Sequence, residues 1–174
     1  LWAHTKFKSR KKALKSVEPV AEAVGKLPTF MRATLDHVVI YRGDETAFGE
    51  SEGHFFVLYS VNIRTRIRNH DLEETVLHES VHATLDSEYA RSKEWLQAQK
   101  ADGDFITKYA KRLPKKEDLA ESALFAWTMI MHPGRLPARV EARAKAIMPN
   151  RLAFFEELFL ARPAFYSVRD HRGC

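Results

Sequence analysis

A chain of 174 residues that is 45% hydrophobic and 11% aromatic can bury one sizeable core and needs no more than one domain. No stretch approaches eighteen consecutive apolar residues, which excludes a spanning helix, and the single cysteine, Cys174, excludes a disulfide within the chain. The net charge of +5 is unevenly spread, because Lys6, Lys8, Arg10, Lys11, Lys12 and Lys15 all precede the first acid, Glu18.

That basic run belongs to a helical segment at about residues 1–30. It reads either as a solvated helix face or as a contact for nucleic acid, an anionic surface or an acidic substrate. Helical pattern covers about 10–35, up to Pro28 and beyond it, and Val38 to Tyr41 is a short strand followed by a turn at Arg42-Gly43-Asp44. Thr46-Ala47-Phe48-Gly49-Glu50 is expected to be either a sheet edge or a simple loop. Phe55 to Arg66 reads as a longer strand or hairpin, with Arg64, Arg66 and Arg68 alternating with Ile63, Thr65 and Ile67 as on a strand with one solvated face. Asn69-His70-Asp71 then opens a helix, with Asp71 as N-cap and Glu74 completing a capping box. A helix is expected near Ser87 to Gln99, a loop at Ala101-Asp102-Gly103-Asp104, and a new helix after Pro114 that opens at Glu117. His132-Pro133-Gly134 ends that helix, and a last amphipathic helix from about Pro149 to Leu160 carries Leu152, Phe155, Leu158 and Phe159. The order is α+β, a small sheet ahead of a series of helices.

The helix from Asp71 contains His78-Glu79-Ser80-Val81-His82. Positions i and i+4 share one face, so His78 and His82 can bind one metal ion through their ring nitrogens. Glu79, one residue past the first ligand, can reach a water at the metal and act as its base without taking a coordination position. A catalytic zinc needs a third protein ligand. Downstream candidates are Asp86, Glu88, Glu94, Asp102, Asp104, Glu117, Asp118, Glu121 and His132, of which Glu117 and Glu121 stand out as two acids one turn apart at the start of a largely apolar helix. The pair reads as a solvated first turn or as a ligand with a supporting carboxylate. His132 is assigned to the turn. Tyr109, in Phe105-Ile106-Thr107-Lys108-Tyr109-Ala110, is either a packing residue or a phenol aimed at developing negative charge.

His-Glu-x-x-His, then the Tyr109 segment, then Glu117-Asp118-Leu119-Ala120-Glu121 resembles the gluzincin metallopeptidases, and most of all the catalytic domain of anthrax lethal factor and its relatives, over about Val76 to Met131. The resemblance implies a zincin-like domain in which Glu117 is the third zinc ligand, Glu121 supports a zinc-bound histidine and Tyr109 stabilises the oxyanion. The interval of 117 − 82 = 35 residues suits it. One departure is Asp86, which stands at i+4 from His82 where those relatives carry an acid at i+3, so no part in the site is expected of it.

The expectation is therefore a single zincin-like domain spanning 1–174 that hydrolyses peptide bonds with Zn2+ held by His78, His82 and Glu117, Glu79 as general base and Tyr109 at the oxyanion. The substrate, a peptide or protein, is expected along the edge at Ala47, Phe48 and Gly49. The alternatives are an inactive zinc-binding interaction domain and a basic nucleic-acid-binding module. Nucleic acid is not expected, because basic and aromatic residues are not interleaved along the chain. The chain starts at Leu1 rather than Met, as a processed or truncated chain does, and a secreted or extracytoplasmic location is expected.

Overall fold

Alternating apolar residues in His37–Tyr41 (β2) and Phe55–Tyr59 (β4) build the centre of a four-stranded sheet, in which Val38 and Ile40 of the first and Phe56 and Leu58 of the second share one buried face. In the computed structural model, which describes residues 1–161, the strand order is β1-β2-β4-β3, with β1 at Trp2–Ala3 and β3 at Phe48–Glu50. β1 and β4 run parallel to β2, whereas β3 pairs antiparallel with β4 and forms the far edge. The architecture is mixed α+β, and no helix among the described residues is long and apolar enough to cross a membrane.

Arg10–Gly25 (α1), capped by the Ser9 hydroxyl, and Thr29–Thr34 (α2) divide the first helical pattern at Pro28, which serves as the N-cap of the second helix. After β4 the chain departs from expectation, because the strand stops at Tyr59 and Ser60–Asn69 (α3) is a helix. The alternation of Ile and Arg over six residues does not distinguish periods 2 and 3.6. Ile63 alone is buried against the sheet, Ile67 is exposed, and Arg66 Nε donates to Asn62 Oδ1 one turn back, a contact that only a helix allows. His70 closes α3 in the left-handed conformation at φ 61°.

Leu72–Thr84 (α4) is the central helix. Its Leu72 and Val76 enter the core formed with the sheet and α1, while Val81 and Leu85, just past its end, enter a second core formed with the later helices. Asp71 is its N-cap, but the side chain makes no capping bond and pairs instead with Arg66 at 2.8 Å. The single helix expected at 87–99 is two, Asp86–Tyr89 (α5) and Lys93–Asp102 (α6), since Ser92 starts a new helix by accepting a hydrogen bond from the Trp95 amide. Ala101 and Asp102 close α6 rather than forming a loop, with Gly103 as a left-handed cap at φ 71°. Lys108–Arg112 (α7) leads to Asp118–Met131 (α8), for which Glu117 is N-cap and His132 C-cap. Ala138–Ile147 (α9), which the sequence reading did not anticipate, and Pro149–Ala161 (α10) complete the second core with Ala144, Met148 and Phe155. Cys174 lies outside the described residues.

Candidate metal centre

With its other two flanks committed to the two cores, α4 presents a third stripe made of Thr75, His78, Glu79 and His82 to a cleft of about 980 Å³. On that stripe the Nε2 atoms of His78 and His82 approach to 3.2 Å, and Glu117 Oε2, at the start of α8, is 3.3 Å from each. The three atoms form a nearly equilateral triangle. Ligands about 2.0–2.1 Å from a tetrahedral ion stand roughly 3.3–3.4 Å from one another, so the triangle has the size such an ion requires. Glu117 Oε2 is also buried without a hydrogen-bond partner among the described residues, because neither imidazole meets it in hydrogen-bond geometry. A bound cation would satisfy this buried carboxylate oxygen, and His78, His82 and Glu117 are close enough to bind one.

The opposite ring nitrogens are already occupied. His82 Nδ1 donates to Asp86 Oδ2 at 2.7 Å, and His78 Nδ1 lies 3.3 Å from Glu121 Oε1. Such carboxylates fix ring orientation and tautomer and leave each Nε2 for a metal. Glu121 thus stands where the sequence reading places it, and Asp86, given no part there, belongs to the centre. The signal was present: Asp86 is one turn beyond His82 on the same face. Thr107, also unread, accepts the Ala110 amide as N-cap of α7 and hydrogen-bonds Glu121, which ties the Tyr109 segment to the centre. The Tyr109 hydroxyl faces the Glu117 carboxylate. His132 packs edge-on against Trp127 and takes no part.

The electrostatics follow from this crowding. Burial lowers the basicity of His78, but Glu117 and Glu121 outweigh it and raise the pKa to about 9; for His82 the same opposition, with Asp86 and Glu117 dominant, gives about 10. Burial works against the charge on Glu117 too, yet the two imidazoles and the Tyr109 hydroxyl hold its carboxyl well below the usual range. Tyr109 is pushed up to about 12, first by burial and then by the surrounding carboxylates, so it remains a proton donor at neutral pH. Without metal both imidazoles are therefore protonated near neutral pH, and a cation bound at their Nε2 atoms would displace those protons. Divalent-ion binding near pH 7 should release about one to two protons, read by calorimetry in buffers of different ionisation enthalpy. Because both imidazole pKa values are raised above the unfolded value, their contribution to metal-free stability is complete below about pH 6.5 and is lost as pH rises through 9 to 10. No proton release at all would mean that the ion binds elsewhere.

Glu79 is 7% exposed and lines the same cleft. Burial pushes its carboxyl up and the neighbouring imidazoles pull it back, with a net rise. β3 forms one wall, since Ala47, Phe48 and Gly49 all line the cleft. A Cβ on Gly49 would fall against the carbonyl of Glu79 and 2.6 Å from His82 Cβ, so only glycine lets the strand lie directly on the histidine helix. His54 secures the β3–β4 connection to α4 by donating from Nδ1 to the Ala83 carbonyl at 3.0 Å. Gly49→Ala should cost about 1–3 kcal/mol, since backbone and not a flexible side chain must yield, and thermal unfolding would show it. An unchanged melting temperature would mean that the strand can lift off at no cost. Set against protein-family profiles, curated proteins and solved structures, the chain matches none of them.

Proposed function

We propose that this chain is a zinc metallopeptidase of gluzincin arrangement. The observation that carries the reading is the triangle of His78 Nε2, His82 Nε2 and Glu117 Oε2, open on a cleft that also holds Glu79 and an edge strand. Two imidazoles and a carboxylate suit Zn2+, which, when bound, polarises a carbonyl and lowers the pKa of water. Glu79 takes the proton of the attacking water and returns it to the leaving amine. Its upward shift brings it closer to neutrality, as such a two-way transfer requires. Tyr109, protonated at neutral pH, donates a hydrogen bond to the oxygen on which negative charge develops, turning from Glu117 to do so. A peptide adds as a strand to the free edge of β3, whose other edge is paired with β4.

Metal analysis of the purified chain tests the ligand set. About one zinc per chain is expected, lost in His78→Ala, His82→Ala and Glu117→Ala. Glu121→Ala should retain zinc with affinity weakened about 10- to 100-fold, the usual consequence of losing a carboxylate that only orients a ligand. Full occupancy in Glu117→Ala would transfer the third position to another acid, Glu121 first.

A further inference from the structure

We infer that the β1–β2 half of the sheet face opposite the buried cluster, together with the acid-free basic segment that leaves its edge, is a docking surface for single-stranded nucleic acid. The strand register aligns Trp2 with Val39, Val39 with Val57, and Val57 with Phe48, so these four residues cross the sheet in one row. The buried cluster that joins the sheet to the helices takes in Val38, Ile40, Phe56 and Leu58 and none of that row. The row therefore lies on the opposite face, which is open at its two edges, where Trp2 is 63% and Phe48 45% exposed, and closed between them at Val57, 3% exposed. More rings extend it on the same face: Trp2 meets His37 edge-on at 5.9 Å, and Tyr41 lies between Tyr59 at 5.7 Å and His4, which stacks on it at 4.5 Å.

The cations begin where the rings end. The Lys6 amide donates to His4 Nδ1 at 3.1 Å, and Arg42 Nη1 reaches the Lys6 carbonyl at 3.4 Å. From there Lys6, Lys8, Arg10, Lys11, Lys12 and Lys15 are exposed, with no acid before Glu18 and no ion pair among the described residues. Arg10, Lys11 and Lys12 occupy the first turn of α1, where the helix dipole disfavours positive charge. An arrangement unfavourable to the free chain becomes favourable once an anion lies across it.

Rings for bases beside cations for phosphates suit a single strand, whose bases are free to stack; a duplex hides them. An anionic bilayer fits less well. Its plane would also meet Glu50, on the same face of β3, whereas a narrow strand can follow the β1–β2 half and avoid it. The exposed rings come from separate strands, and the register of the sheet gathers them beside the basic segment that follows β1.

The test is fluorescence polarisation of the full, metal-loaded chain with a labelled twelve-nucleotide oligothymidylate, its duplex with oligoadenylate, and vesicles containing phosphatidylserine. Binding of the single strand is expected to fall with salt at a log–log slope of about −2 to −4, from roughly 0.7 per phosphate for three to six contacts. The duplex should bind at least about tenfold more weakly, as should the Lys11→Glu, Lys12→Glu, Lys15→Glu triple variant. Trp2→Ala should weaken binding about 5- to 100-fold, with Trp2→Phe retaining most of it. No binding at low salt overturns the proposal, as does equal affinity for duplex, indifference to Trp2→Ala, or capture by vesicles without capture of the oligomer.

Discussion

Glu79→Gln is expected to keep fold and bound metal but lose peptide hydrolysis by about 10²- to 10⁴-fold, the range that a positioned base contributes. The amide is nearly isosteric, so the 7% exposed position accepts it, and neither form ligates the ion. Tyr109→Phe refines the result because the phenol has two possible duties. If it stabilises the oxyanion, turnover falls about 10²- to 10³-fold at unchanged metal affinity. If it serves only Glu117, which it faces here, metal affinity falls and turnover per bound ion holds. A wild-type chain full of zinc that cleaves nothing in a broad peptide library, with Glu79→Gln indistinguishable from it, is instead a metal-binding interaction domain.

The parts of this centre that were legible in the sequence are those set by helical geometry within one element. His78 and His82 converge because they are one turn apart, and Glu117 and Glu121 share a face for the same reason. Asp86 obeys the same rule, and its carboxylate lies 2.7 Å from His82 Nδ1 although the gluzincin resemblance gives it no part. Local pattern failed at Ser60–Asn69, where six alternating residues suit two periods and the burial of Ile63 against the sheet decided the outcome. It was silent on the aromatic sheet face. Trp2, Val39, Val57 and Phe48 become neighbours only through pairing between distant strands, which no local periodicity encodes.

Arg151→Met is expected to be the most destabilising single change outside the centre. Arg151 is fully buried in α10 and went unread in a helix recognised by its apolar residues. Its Nε pairs with Asp102 at 2.8 Å, its Nη1 with Asp118 at 2.6 Å, and its Nη2 donates to the Asp104 and Ile147 carbonyls. Asp118 in turn accepts from Gln99 at 2.9 Å, and the same Gln99 nitrogen holds the Pro114 carbonyl, so the network immobilises the turn immediately before Glu117. Removing the cation leaves two buried carboxylates unpaired, which costs about 3–5 kcal/mol and lowers the melting temperature by about 6–20 °C. Adding Asp118→Asn should restore part of this loss, since one of the stranded charges is then gone. The metal affinity of the surviving folded protein separates two roles. Asp118 adjoins Glu117, so a network that positions the third ligand predicts affinity weakened about tenfold or more in Arg151→Met. An unchanged affinity beside a large drop in melting temperature would confine Arg151 to holding α6, α8 and α10 together.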